Sequence, residues 1–306
     1  MDYRPVSAST DLSLPSSSLV IRDTNFQWGC RTYLMGVLNV TPDSFSDGGR
    51  FNTLETALAQ AHRLASAGAD VLDIGGQSTR PQSEEISVTE ELNRVVPVIE
   101  ALRTGNADFV SLHIPISIDT TRAAVAQAAI DAGADWVNDI SGAVFDAEML
   151  PTVAKLGVPI VLMHMRGTPK TMQQLTQYQD LMGEIRQFLQ ERIEAAVAAG
   201  IDRTQILIDP GIGFAKTYAQ NLAILRHLPT LRSLGYPLLV GPSRKSFIGQ
   251  ILQQPEPEKR VWGTAAACCA AIVGGADVLR LHDVQELRDV CQVADAIWRP
   301  NSLDLE

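Results

Sequence analysis

Polar residues recur at one kind of place in this 306-residue sequence: at the ends of short apolar runs. They are Asn39, Asp73, Asp119, Asn138 with Asp139, His164, Asp209, Ser243-Arg244-Lys245, and Arg280 with His282. Asp119, Asn138 and Asp209 offer acceptors and one amide. A carboxylate pairs in two-pronged fashion with a flat group carrying adjacent N–H donors, and the guanidine-like edge of a purine or pterin has that pattern. Arg244, Lys245, Arg280 and His282 add positive charge on two neighbouring runs. Together the two sets suit a flat nitrogen heterocycle held deep, with an anionic group beside it. Taken singly, an Asp or Asn at such a position serves equally well as the cap of a following helix. Capping is a poor account of all eight runs, because unpaired charge inside a fold is costly. Asp73 stands evenly between a ligand contact and a structural role fixing the loop after its run.

The elements that must position these groups follow a single rhythm. Apolar runs occur at 33–39, 70–76, 115–119, 136–139, 159–164, 205–209, 237–241 and 277–282. Runs this short read as strands buried on both faces. Helical patterns separate them: one begins at Thr53, an N-cap type, and stops at Gly68, and others close at Gly133 and Gly200. AGAD at 67–70, AGAD at 132–135 and GGAD at 274–277 repeat one helix-to-strand connection. Eight strands alternating with eight helices imply parallel pairing through right-handed crossovers. At this length the expected fold is α/β, a single (β/α)8 TIM barrel, with the chemistry at the C-terminal strand ends and phosphate groups favoured near strands seven and eight. The run 19–34 predicts a small hairpin on the barrel floor, residues 1–18 a disordered arm, and 19–306 one domain.

Composition narrows the class. The chain is 45% hydrophobic and 20% charged with net charge −10, ordinary for a soluble protein and wrong for a general nucleic-acid surface. Neither a membrane span nor a secretory signal is apparent, which favours the cytoplasm. The four cysteines have no metal-binding spacing, and Cys268 and Cys269 read as small core residues. Asn39-Val40-Thr41 matches a glycosylation pattern by chance, and GPSRKS lacks the second glycine of a phosphate loop. His62, His113 and His227 fall outside the strand-end set.

GVLNVTPDSFSDGG, DIGGQSTRP, SIDT, NDISG, LMHMRGTPKTMQ, IDPGIGFAK, GPSRKSFIG and LRLHDV, in that order over residues 33–284, resemble the dihydropteroate synthases of folate biosynthesis, one motif per strand. The resemblance implies an alkyl/aryl transferase that joins 6-hydroxymethyl-7,8-dihydropterin diphosphate to 4-aminobenzoate and releases pyrophosphate. It further implies Mg2+, inhibition by sulfonamides and a homodimer. By the same resemblance Asp119, Asn138, Asp209 and Lys245 hold the pterin, and Met163 and Phe214 line its pocket. Asn39 contacts Mg2+ and diphosphate, and Arg280 and His282 sit at the anion site. Phe45, Thr79, Arg80, Pro81 and Ser246 receive 4-aminobenzoate. Gln77 stands where the family often has Glu, and Gln82 where it often has Gly.

Such a reaction needs charge stabilisation more than a general base. Departure of diphosphate leaves a ring-stabilised cation, and an aromatic amine is already neutral near pH 7. Asp119 and Asp209 would favour the cation; Mg2+, Arg280 and His282 would take the anion. The loop after the first strand, with Gly48 and Gly49 as hinges, would close over the reaction and exclude water. Two rivals share the pterin-holding carboxylates: a methyltetrahydrofolate-dependent methyltransferase, which has little use for the SRKS, Arg280 and His282 anion set, and a non-catalytic pterin-binding barrel, which would not keep the loop motifs.

Overall fold

The computed structural model describes residues 18–41, 50–79 and 83–299. The arm expected over 1–18 therefore lies outside the described residues, except that Ser18 opens a strand. Strands β1 (Ser18–Ile21) and β2 (Thr24–Gln27) form an antiparallel hairpin, Ile21 opposite Thr24, around the two-residue turn Arg22-Asp23. Arg22 takes φ +51 there, the left-handed conformation that such a tight turn requires.

Eight parallel strands follow: β3 (Tyr33–Asn39), β4 (Val71–Gly75), β5 (Ile116–Asp119), β6 (Trp136–Asp139), β7 (Ile160–Met163), β8 (Ile206–Asp209), β9 (Leu239–Val240) and β10 (Val278–Leu281). They hydrogen-bond in the order β8-β7-β6-β5-β4-β3-β10-β9. The Ile208 N–H donates to the Pro237 carbonyl at 3.0 Å and brings the two ends together, as a barrel demands. The helices are α1 (Arg50–Ser66), α2 (Val88–Thr104), α3 (Ala123–Asp131), α4 (Met149–Leu156), α5 (Leu181–Ala198), α6 (Tyr218–His227), α7 (Pro229–Arg232), α8 (Ser246–Leu252), α9 (Val261–Val273) and α10 (Val284–Trp298). The expected alternation holds, with two corrections. Crossovers β8–β9 and β9–β10 each carry two helices. Helix α1 begins three residues before Thr53, so Thr53 is inside it and is not its cap.

Residues two apart along a strand share a face, and the core divides accordingly. Outward positions such as Leu72, Ile74, Ile116, Ile118, Ile206 and Ile208 join the large cluster under the helices. Inward positions Tyr33, Met35, Val71, Trp136, Val161, Leu207, Leu239 and Val278 form a second cluster that also holds Phe26 and Trp28. The expected floor hairpin is thus present. Phe26, fully buried, lies 4.8 Å from the Tyr33 ring and 5.8 Å from Trp136, centroid to centroid. Filling the floor with aromatic side chains removes several large apolar surfaces from water, each worth about 1.5–3 kcal/mol.

The three repeated connections have a common purpose. After Gly68, Gly133 and Gly275, all at positive φ, comes an Asp whose carboxylate accepts a backbone N–H at or beside the start of the preceding neighbour strand. Asp70 accepts from Leu34 at 2.8 Å, Asp135 from Ile116 at 2.8 Å, and Asp277 from Leu238 at 2.9 Å. Arg31 pairs with Asp70, and Arg22 and Arg103 with Asp135.

Candidate active site

At the opposite end, strand register assembles a row of side chains. Asn39, Gly75, Asp119 and Asn138 are successive partners across β3, β4, β5 and β6, while Met163 is level with Asp209 across β7 and β8. Because Ile116 and Ile118 face outward, Ser117 and Asp119 face inward. The same parity turns Asn138 in and Asp139 out. One step deeper lies Asp73, beside Ser117.

Arg280, inward on β10, joins these levels. Its Nε donates to Asp73 Oδ2 at 2.5 Å and its Nη2 to Asp119 Oδ2 at 2.7 Å. Asn138 Nδ2 donates to the same Asp73 oxygen at 3.1 Å. Burial pushes the Asp119 carboxyl up to about 7; Arg280 opposes this, whereas Asp73, Glu91 and Asp139 add to it. Burial would lower Arg280, but Asp73 and Asp119 outweigh it and hold the guanidinium raised. Asp209 is pushed up to about 6 by burial, against the pull of the Gly211 N–H, Lys245, Lys216 and Arg280.

The loop after β8 shows why DPGIGF has its glycines. Gly211 adopts φ +70, and a Cβ there would lie 2.0 Å from the His164 carbonyl oxygen. Only glycine lets the chain turn so that the Gly211 N–H donates to Asp209 Oδ1 at 2.7 Å. Gly213, at φ +86, leaves space for the Lys245 stem, which a Cβ would meet at 2.9 Å. Lys245 Nζ then sits 4.3 Å from the Phe214 ring centroid, a cation–π contact. Burial and Arg280 lower this lysine to about 8, with Asp209 and Asp119 acting in opposition. Phe214 belongs to an apolar cluster with Ile140, Met163, Met165 and Met172, one wall for a flat ring.

A cleft of about 300 Å3 opens above, lined among others by Gln77, Thr79, Asp119, Arg122, Ile140 and Lys170. Thr79 and Asp119 therefore face one space. His282 is half-buried, with its N–H 3.1 Å and its Nδ1 3.0 Å from Ser243 Oγ. Ser246 is exposed at the first turn of α8, immediately after Lys245. Phe45, Arg80 and Pro81 lie outside the described residues, as do Gly48 and Gly49.

Three residues expected at the mouth are engaged elsewhere. Asp139 Oδ1 accepts from the backbone N–H and hydroxyl of Ser141, both at 2.7 Å. His164 Nδ1 lies 3.0 Å from Lys216 Nζ. Arg244, at φ +58, clamps Asp283. Parity along β6 and β7 explains the first two, since Asn138 and Met163 occupy the inward positions. Asp73 hydrogen-bonds to Arg280 and Asn138 in the inner site, and among the described residues no hydrogen bond ties its side chain to the second loop, the structural one of the two roles left open for it.

Other residues were missed by sequence reasoning. Lys216 is buried, donating to the Phe214 carbonyl at 2.8 Å and held near 7 by burial. Glu91, also buried, accepts from Thr120 Oγ1 at 2.7 Å and from Arg122 at 2.7 Å. Arg122 extends to Glu85 and the Ile86 carbonyl, tying the end of β5 to the second loop. Lys216 closes the motif IDPGIGFAK and Arg122 stands two residues beyond SIDT, and that placement was the available signal. Gln77 secures the same loop: its Nε2 donates to the Ser78 and Glu84 carbonyls and its Oε1 accepts from Ile86 N–H. A glutamate would have no proton for those two carbonyls when ionised.

A barrel with this mouth matches the family model of pterin binding enzymes over residues 35–282, and the chain belongs to that family. It is 59% identical to the dihydropteroate synthase of Synechocystis sp. over 92% of this chain and 95% of that one. Among solved structures, the Yersinia pestis dihydropteroate synthase in a sulfonamide drug complex superposes with TM-score 0.84 at 45% identity, covering 92% and 98% of the two chains. The Xanthomonas albilineans dihydropteroate synthase in complex with 7,8-dihydropteroate gives TM-score 0.78 at 45% identity over 88% and 94%. Within the pterin-binding enzymes, the chain falls with the dihydropteroate synthases.

Proposed function

We propose that this chain condenses 6-hydroxymethyl-7,8-dihydropterin diphosphate with 4-aminobenzoate, giving 7,8-dihydropteroate and pyrophosphate. The observation that carries the reading is the inner layer itself: Asp119, Asn138 and Asp209 as acceptors, an apolar wall of Met163 and Phe214, and Arg280 and Lys245 at the edge. Asp119 and Asp209 bind the N–H edges of the pterin and stabilise positive charge as the C–O bond to diphosphate breaks. Lys245 lies over Phe214, between ring and anion. Arg280 and His282 receive the departing diphosphate. Thr79 and Ser246, with Phe45, Arg80 and Pro81, receive 4-aminobenzoate, whose neutral amine attacks the methylene carbon and then gives its proton to solvent. Preorganised charge of this kind is the dominant source of rate in a reaction that separates charge.

Mg2+ fits this chain as a companion of the substrate. No group of three or more His, Cys, Asp or Glu side chains that could hold a metal occurs among the described residues. Mg2+ commonly keeps waters and takes its remaining oxygens from substrate phosphates. The half-buried amide of Asn39, at the end of β3, would supply one more. When bound, the metal neutralises charge on the diphosphate.

The chain acts as a homodimer in this reading, through the face of α6, α8 and α9. That face has an apolar groove of about 350 Å3 lined by Leu222, Phe247, Ile251 and Ala267 among others, with Trp262 74% and Ile251 59% exposed nearby. Sedimentation should give a dimer for the wild type and a monomer for Trp262→Glu. No helix of the described residues is long and apolar enough to cross a membrane, and the reading places the enzyme in the cytoplasm.

The experiment is to mix both substrates with the protein and Mg2+ and to measure pyrophosphate and dihydropteroate together. Equal amounts of both products are expected. Pterin binding without pyrophosphate release would favour a non-catalytic barrel.

A further inference from the structure

Asp73 opens the motif DIGGQSTRP but lies within β4, below the strand end. Its side chain is fully buried inside the barrel, one level beneath Asp119. One oxygen, Oδ2, accepts both Arg280 Nε at 2.5 Å and Asn138 Nδ2 at 3.1 Å. The other oxygen, Oδ1, and the neighbouring Ser117 Oγ are buried with no hydrogen-bond partner among the described residues. Arg280 is 207 residues away in sequence and Asn138 is 65, so a single atom joins strands β4, β6 and β10.

We propose that Asp73 is a positioning residue for the condensation, setting the amide of Asn138 and the guanidinium of Arg280 together and so coupling the ring site to the anion site. This rests on the reading that Asn138 and Arg280 contact substrate. Two consequences follow from the donor chemistry. With Asn138 Nδ2 committed to Asp73, the amide presents Oδ1 to the pocket. The inner layer then consists of acceptors alone, Asp119, Asn138 and Asp209, facing the N–H edges of the ring. Holding Arg280 by Nε also leaves Nη2, now on Asp119, as the end free to exchange that carboxylate for an anion. The pterin can thus take Asp119 without setting the guanidinium adrift.

Asp73→Asn keeps the shape and removes the charge. Arg280 then rests on Asp119 alone, and the Asn138 amide loses its orienting acceptor or shares it with a competing donor. Three single variants (Asp73→Asn, Asn138→Ala, Arg280→Gln) and the two doubles containing Asp73→Asn should be compared. Calorimetry with 6-hydroxymethylpterin reads ring binding, pyrophosphate release reads turnover, and melting temperature reads fold. Asp73→Asn should weaken pterin binding and turnover each by at least about tenfold, or about 1.4 kcal/mol, with little change in melting. In the Asn138→Ala background its further effect on pterin binding should fall below about twofold, and in Arg280→Gln likewise for turnover, because coupled residues are not additive. Ser117→Ala, beside Asp73 but outside its hydrogen bonds, should resemble wild type. If Asp73→Asn does not fold, Asp73→Ser takes its place in the same comparison. Wild-type behaviour of the Asp73 variants, or full additivity in both doubles, while Asn138→Ala and Arg280→Gln are impaired, overturns the proposal. Unimpaired Asn138→Ala and Arg280→Gln would overturn the site reading itself, and the proposal with it.

Discussion

Arg280 Nη2 donates to Asp119 Oδ2 at 2.7 Å, so a guanidinium expected to bind the leaving anion rests on a carboxylate expected to bind the ring. Burial has pushed that carboxyl up to about 7 even with the guanidinium in contact. Ionised Asp119 is the form that accepts ring N–H groups, so pterin affinity should rise as pH increases through about 7. In Arg280→Gln the opposing cation is gone, and the midpoint should move to higher pH. Calorimetric titration with 6-hydroxymethylpterin across this range checks both statements; a midpoint unchanged by the substitution would contradict them.

Asp209→Asn tests the opposite edge of the pocket. The Asn oxygen can still accept from Gly211, so the loop should keep its turn. What is lost is a charge-assisted contact, worth about 1.5–3 kcal/mol. Pterin affinity should drop at least about tenfold, with 4-aminobenzoate binding much less affected. Unchanged pterin affinity would remove Asp209 from the site.

Lys245 supplies an alkaline limb. Its ammonium is lowered to about 8, so the charged form prevails below that pH and is lost above it. Turnover should decline on that side. Lys245→Ala should lower turnover by about two orders of magnitude, the effect of deleting one preorganised donor, about 2.7–4 kcal/mol. Melting should hardly change. Lys245→Arg restores charge at every pH but not the donor geometry, so turnover should stay reduced while the alkaline limb disappears. A limb that persists would belong to another group, Lys216 first among them.

Asp135 belongs to the floor, where effects should be on stability alone. It accepts from Ile116 N–H and pairs with Arg22 and Arg103, each at 2.5 Å. Asp135→Ala strands a buried N–H and a largely buried arginine, which should cost about 3 kcal/mol. Denaturant unfolding should register that loss, with pterin affinity of the folded fraction intact.

Much of this architecture was legible in the sequence because barrel strands are buried on both faces and read as uninterrupted apolar runs. Even β9, only two residues by hydrogen bonding, stood out as PLLVG. The helix start was less legible: Thr53 is a good cap by type, yet α1 runs through it. At the mouth, adjacency to a strand end was an adequate guide to Asp119, Asn138, Asp209 and Arg280. It failed for Asp139 and His164, whose neighbours Asn138 and Met163 are the ones that face into the barrel. Arg244 was beyond reach for another reason, since its partner Asp283 lies beyond the next strand, just before α10. The shared oxygen of Asp73 is likewise a property of three strands brought together, and no one of them carries its signature. At Gln77 the departure from the family pattern was visible in advance, but the three hydrogen bonds that give it meaning were not.

Among the described residues, the aromatic floor closes the barrel from below. Phe26 and Trp28 stop the barrel beneath the ring site, so whatever lies deepest must enter first and leave last. A pterin held at Asp119 and Asp209 sits below the cleft that opens by Thr79, and a molecule lodged in that cleft bars its way in either direction. Order of addition would then be a matter of traffic in a cul-de-sac, independent of any change in affinity. With 4-aminobenzoate in excess, entry of the pterin should slow, and a stopped-flow trace that shows no such delay would mean a second way in.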